Sequence, residues 1–131
     1  MIGFNMLGQL GRLGNQMFQV ASLRGIASKN NFNYAIPPSK NKNEWTDHQL
    51  FNPFVFEGVN PLNIQFIDFQ RPQVEEASFS FDEKLFNDCP DWVSLVGFFQ
   101  SEKYFKHIED TVHSMFAFRP EILEPCQSMI N

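Results

Sequence analysis

The sequence predicts an α/β fold built on a parallel sheet, and three observations carry that prediction. A short apolar segment (Ile2, Phe4, Met6) runs into a glycine-bearing loop and then straight into an amphipathic helical stretch. A second apolar segment, Phe32 to Ile36, follows at the spacing of a βαβ crossover, which requires parallel strands and a right-handed connection. A third, Trp92 to Phe99, again leads into apolar residues at helical spacing.

Ile2 to Leu7 reads as the first strand. Gly8, Gly11 and Gly14 then space the loop as G-x-x-G-x-x-G, so that its backbone can come close to a ligand or a neighbouring strand. This is not the G-x-G-x-x-G of a dinucleotide fold, and it lacks the Lys-Ser/Thr end of a phosphate-binding P-loop. A helix is expected from about Asn15 to Lys29, with Met17, Val20, Ala21, Leu23, Ile26 and Ala27 as a wide apolar stripe. Asn15 stands at its start, either as the cap of the first turn or as a ligand contact at the positive helix end. Ser28-Lys29-Asn30-Asn31 ends the helix, and Phe32, Tyr34 and Ile36 alternate as a second strand stopped by Pro37-Pro38.

The middle of the chain is more irregular. Lys40 to Glu44 is a solvated loop, and His48 to Phe56 a helical turn with an extended piece. Ile64 to Phe69 reads as another strand edged by Arg71-Pro72, and Phe79, Phe81 and Leu85 as a loop leading into a helical turn near Asp82 to Asn87. Trp92 to Phe99 has the length and β-propensity of a buried strand, with Gly97 marking the close approach of another backbone. Gln100-Ser101 opens a helix, Ser101 as its N-cap and Glu102 near the positive end. Tyr104, Phe105, Ile108, Val112, Met115 and Phe116 form its apolar face. Phe118-Arg119-Pro120 breaks this helix, and Glu121 to Ile130 forms a short one interrupted by Pro125. The two strand-to-helix turns, Gly8–Asn15 and Phe99–Ser101, open at the same carboxyl edge of one sheet, where open α/β sheets bind ligands. The pattern is Rossmann-like.

With 131 residues the chain is read as a single domain, residues 1–131. Its 16 phenylalanines need a core or a second domain to cover them. A net charge of −5 argues against nucleic acid or an anionic membrane as a partner. Cys89 and Cys126 follow no metal-ligand spacing and read as two buried or free thiols in a reducing compartment, with a single disulfide between them as the alternative. No run approaches the roughly 18 apolar residues that would span a bilayer, and no secretory leader pattern precedes the first strand. The expectation is a soluble, cytoplasmic protein without a metal. His48, His107 and His113 form no constellation, with His107 and His113 on the surface. Asp47, Glu75 and Glu76 are carboxylates able to act as a base, and no catalytic residue is singled out among them.

The run Gly11-Arg12-Leu13-Gly14-Asn15-Gln16-Met17-Phe18-Gln19, continued to Ala21, closely resembles the N-terminal signature of α-1,2-fucosyltransferases, glycosyltransferase family 11. A shorter form, G-x-x-x-N-Q, recurs in protein O-fucosyltransferases and α-1,6-fucosyltransferases. Leu95-Val96-Gly97-Phe98-Phe99-Gln100-Ser101-Glu102-Lys103-Tyr104-Phe105 is similar to a second block of the same family. Arg24-Gly25-Ile26-Ala27 and Phe118-Arg119-Pro120 are weaker likenesses, and the whole is collinear from Ile2 to about Pro120. The resemblance implies a GT-B architecture of which this chain is the N-terminal, acceptor-side half. It also implies GDP-fucose as donor, no obligatory metal, and inverting transfer to a galactoside hydroxyl. A third family motif, His-x-Arg-Arg-x-Asp-Tyr, has no counterpart in these residues, and neither has the C-terminal nucleotide-sugar domain. The arginine of that motif would neutralise the departing pyrophosphate, so the isolated chain is expected to be inactive.

Under this resemblance Gly11, Arg12, Gly14, Asn15 and Gln16 line an interdomain cleft, faced by Gln100 and Ser101, and offer guanidinium and amide groups to sugar or phosphate oxygens. Each also has a plainer reading: Arg12 as a solvated loop cation, Asn15 as a cap, Gln100 bonded to local backbone, Ser101 as a cap. The alternative to a truncated transferase is a non-catalytic glycan-binding module, or a half-enzyme completed by a separate partner chain. A dinucleotide oxidoreductase is disfavoured by the glycine spacing and by Pro37-Pro38, which stands where an acidic residue would be wanted.

Overall fold

The computed structural model describes residues 1–7, 13–36, 64–66, 71–78 and 80–116, with 64–66 as backbone alone. Among the described residues five short strands form one sheet: β1 (Ile2–Gly3), β2 (Tyr34–Ile36), β3 (Ile64–Phe66), β4 (Gln73–Glu75) and β5 (Ser94–Val96). Their order is β3-β2-β1-β5-β4, and all four pairings are parallel. The expectation of an α/β fold on a parallel sheet is met. The chain lays β2 and β3 on one side of β1, then crosses to build β4 and β5 on the other. The carboxyl ends of β1 and β5 therefore flank the point where the strand order reverses, the place where open α/β sheets bind ligands.

The first helix, α1 (Leu13–Asn30), covers the sheet and joins β1 to β2. Val20, Leu23, Ile26 and Ala27 on its inner face are fully buried with Ile2, Phe4, Ile36 and Leu95 from the sheet side. Each large side chain so buried contributes about 1.5–3 kcal/mol. The strand expected over Ile2–Leu7 is cut to two residues, because the Leu7 N–H turns back to the Phe4 carbonyl (3.1 Å). The segment after Phe4 is a turn whose Asn5 N–H is bonded to Ser94 Oγ of β5 at 2.9 Å. α1 starts two residues earlier than expected, so Asn15 is inside the first turn and does not cap it.

β4 has no counterpart in the sequence reading. Its residues alternate exposed, half-buried, exposed, as an edge strand does, and only Val74 of the three is apolar. Pro72 sits at its start, where the missing N–H costs nothing, and its carbonyl accepts from the Ser94 N–H (3.0 Å). The short helix α2 (Glu83–Asp88) is capped by Asp82, whose Oδ1 accepts the Leu85 N–H (3.1 Å), close to the expected turn over Asp82–Asn87.

The single helix expected after Ser101 is three pieces. Two 3-10 turns, Glu102–Tyr104 and Lys106–Ile108, precede α3 (Glu109–Met115). Phe105 (φ −132°, ψ 7°) and Ile108 (φ −123°, ψ 34°) leave helical geometry at the joints. The cause is Tyr104. Its ring is buried and its carbonyl presses on α1 at Gly25, where a Cβ would come within 1.9 Å of that oxygen. Only a residue without a side chain allows this approach. His107 closes the same contact from outside, its Nε2 lying 3.0 Å from the Gly25 carbonyl, so that nitrogen carries the proton. His107 and His113 are both exposed, as expected. The strand expected over Ile64–Phe69 is observed over Ile64–Phe66. The elements expected over Lys40–Glu44, over His48–Phe56 and beyond Phe116 lie outside the described residues.

Candidate functional site

The site is assembled at the strand-order reversal, where the first turn of α1 meets the turn that follows β5. Three polar residues of α1, Asn15, Gln19 and Ser22, recur at helical spacing on one face. Each is bonded to the β5 turn. Gln100 Nε2 donates to Asn15 Oδ1 (2.9 Å), Gln19 Nε2 donates to the Gly97 carbonyl (3.1 Å), and Ser22 Oγ donates to the Phe99 carbonyl (3.0 Å). Gln19 and Ser22 are buried, and these bonds satisfy the Gln19 Nε2 and the Ser22 hydroxyl, groups that would be costly to bury unpaired. Sequence reasoning assigned α1 an apolar stripe and missed this polar seam. The signal was present in the same 15, 19, 22 spacing.

The β5 turn is held in an uncommon conformation. Gly97 has φ +147°, and a Cβ there would meet Glu76 Cβ at 2.9 Å. Phe99 lies at φ +50°, left-handed backbone that a bulky residue adopts only when its surroundings impose it. Here they do. Its N–H donates to Glu76 Oε1 (3.2 Å), its carbonyl is fixed by Ser22, and its buried ring packs edge-on against Phe4 (5.7 Å) and Tyr104 (5.2 Å). The other Glu76 oxygen accepts from the Tyr104 hydroxyl at 2.5 Å, and that hydroxyl accepts from the Asp82 N–H at 2.8 Å. Burial, then the hydrogen bond to Glu76, pushes the Tyr104 phenol well above its ordinary pKa, so it remains a neutral donor. Of the carboxylates named as base candidates, Glu76 is committed to this clamp, Glu75 is exposed on β4, and Asp47 lies outside the described residues.

The site residues expected from sequence divide as follows. Asn15 and Gln100 are brought together and face solvent at the rim. Gly14 beside them is exposed, and a Cβ there would meet nothing within 4 Å among the described residues. Gln16 turns inward and is 1% exposed. Ser101 caps the first 3-10 turn, its Oγ accepting the Lys103 N–H at 3.3 Å. Gly11 and Arg12 lie outside the described residues. Cys89 is a buried free thiol, whereas Cys126 falls outside them.

The chemistry at the rim is that of two primary amides. One Asn15 oxygen and one Gln100 NH₂ are used on each other, and the Asn15 NH₂ and Gln100 oxygen have no partner among the described residues. Exchanging O and N in both amides leaves the same set, one open donor and one open acceptor side by side. Such a pair matches a hydroxyl, which donates and accepts at once. Among the described residues no group of three His, Cys, Asp or Glu could hold a metal ion, and no helix is long and apolar enough to cross a membrane. No protein-family model, curated protein or solved structure matches this chain.

Proposed function

We propose that this chain is the acceptor-side, N-terminal domain of an α-1,2-fucosyltransferase-like glycosyltransferase of GT-B architecture. In the complete enzyme, fucose passes with inversion from GDP-fucose to a galactoside hydroxyl. One observation carries the reading: the two sequence blocks that resemble the family are joined at one rim by the 2.9 Å bond between Gln100 and Asn15. The open amide donor and acceptor there are suited to a sugar hydroxyl, and the bare Gly14 leaves room for a ring to approach. Gly11 and Arg12 belong to the same turn in sequence and are assigned to phosphate or sugar oxygens.

The chain contains no His-x-Arg-Arg run, so it supplies no guanidinium pair of that motif to the leaving diphosphate. Transfer is therefore assigned to the assembly with a nucleotide-sugar domain, and acceptor binding to this domain. The commitment of Glu76 to Phe99 and Tyr104 favours binding over catalysis by these residues alone. The test is titration of the ¹⁵N-labelled chain with lactose, followed by the side-chain amide signals of Asn15 and Gln100. Saturable shifts of both signals are expected, with no turnover of GDP-fucose. Absence of saturation at the rim, or robust transfer by this chain alone, overturns the proposal.

A further inference from the structure

At the opposite, amino edge of the sheet, the C-terminal half of α1 and the entry to β2 border a cavity of about 230 Å³. Arg24 and Ser28 of α1, Asn33 and Tyr34 at the start of β2, and Thr111 of α3 line it. Tyr34 is 4% exposed, and among the described residues its buried hydroxyl and the buried Nη1 of Arg24 have no polar partner beyond each other. The guanidinium lies over the Tyr34 ring at 5.7 Å from its centroid. No carboxylate among the described residues pairs with Arg24.

A folded chain seldom leaves two buried donors with only each other for company, because each forfeits its bonds to water. A guanidinium Nη1 and a phenol hydroxyl beside serine and threonine hydroxyls form a donor-rich, cationic cradle. We infer that this cavity is a binding site for a small oxyanion, the phosphate or carboxylate group of a metabolite, held by Arg24 and Tyr34. The hydroxyl is kept as a neutral donor, since burial pushes its pKa up to about 12. The site faces away from the Asn15–Gln100 rim and does not depend on the carbohydrate reading.

The test titrates the ¹⁵N-labelled chain with sodium phosphate and, separately, with sodium acetate at fixed ionic strength. At least one is expected to saturate, with amide shifts centred on residues 24–34. Preference for phosphate assigns a phosphomonoester group and preference for acetate a carboxylate. Arg24→Met is expected to abolish binding and Tyr34→Phe to weaken it by about tenfold. Both variants are expected to melt close to the parent temperature, since each removes a buried polar group whose polar partner is the other alone among the described residues. Failure of both anions to saturate, shifts centred elsewhere, or binding unchanged in Arg24→Met overturns the inference. Should Arg24→Met fail to fold, Tyr34→Phe and the shift map decide it by the same criteria.

Discussion

Glu76 accepts the Tyr104 hydroxyl at 2.5 Å while its other oxygen holds the Phe99 N–H, so one carboxylate ties the end of β4 to the turn after β5. Tyr104→Phe removes the donor to Glu76 and the acceptor for the Asp82 N–H together. The expected loss is about 1–3 kcal/mol of folding free energy, read from the urea midpoint at an unchanged slope.

Two glycines of α1 separate close packing from open space. Gly25→Ala places a methyl 1.9 Å from a backbone oxygen that cannot move without dislodging Tyr104. A loss of at least about 3 kcal/mol is expected, seen as a collapse in melting temperature or in soluble yield. Gly14→Ala has free room among the described residues and sits in a helix. It is expected to gain about 0.5–1 kcal/mol while reducing lactose binding. A gain in stability without loss of binding would separate Gly14 from the site.

The rim amides are predicted to matter more for ligand than for fold. Asn15→Ala and Gln100→Ala each remove one exposed hydrogen bond, worth at most about 1 kcal/mol. Each is expected to weaken lactose binding at least threefold in the same amide-shift titration.

Cys89 is buried, and its thiol is pushed up to about 11, first by desolvation and then by nearby Asp91. The native state thus keeps a proton that the unfolded chain releases near 9, so stability is full below pH 9 and falls as pH rises toward 11. Tyr34, raised from 10 to about 12, extends the decline to higher pH. Denaturant midpoints are expected to drop steadily above pH 9. Iodoacetamide at pH 8 should label the Cys89 peptide slowly in the native protein and quickly in urea, as mass spectrometry would show.

The legible parts of the fold were those with a periodic signal. Val20, Leu23 and Ile26 mark the inner face of α1, Tyr34 and Ile36 mark β2, and Leu95 lies in the apolar run that contains β5. β4 was not legible, because an edge strand of Gln73, Val74 and Glu75 has one apolar residue and no alternation to read. The helix after Ser101 was misjudged because 3-10 turns and an α-helix bury similar positions, and only Tyr104 pressing on Gly25 forces the breaks. At the site, the meeting of the two turns was inferable from parallel topology, and the structure brings Asn15 and Gln100 together, with Asn15 inside the helical turn that it was expected to open. The inward turn of Gln16 was not inferable, since an amide at a helix start has no sequence mark telling core from rim.

The middle position of β1 has a consequence for how the protein folds. Asn15 and Gln100 are 85 positions apart, and the Gly3–Ser94 pairing of β1 with β5 that aligns their turns is more remote still in sequence. Closing a loop of that length costs about 4 kcal/mol of chain entropy beyond a constant, recovered only when β5 docks. The βαβ unit of β1, α1 and β2 is free to form early, and the rim must arise last, in the slow phase that non-local pairing imposes. Acquisition of the Asn15–Gln100 contact would then time the completion of the native state.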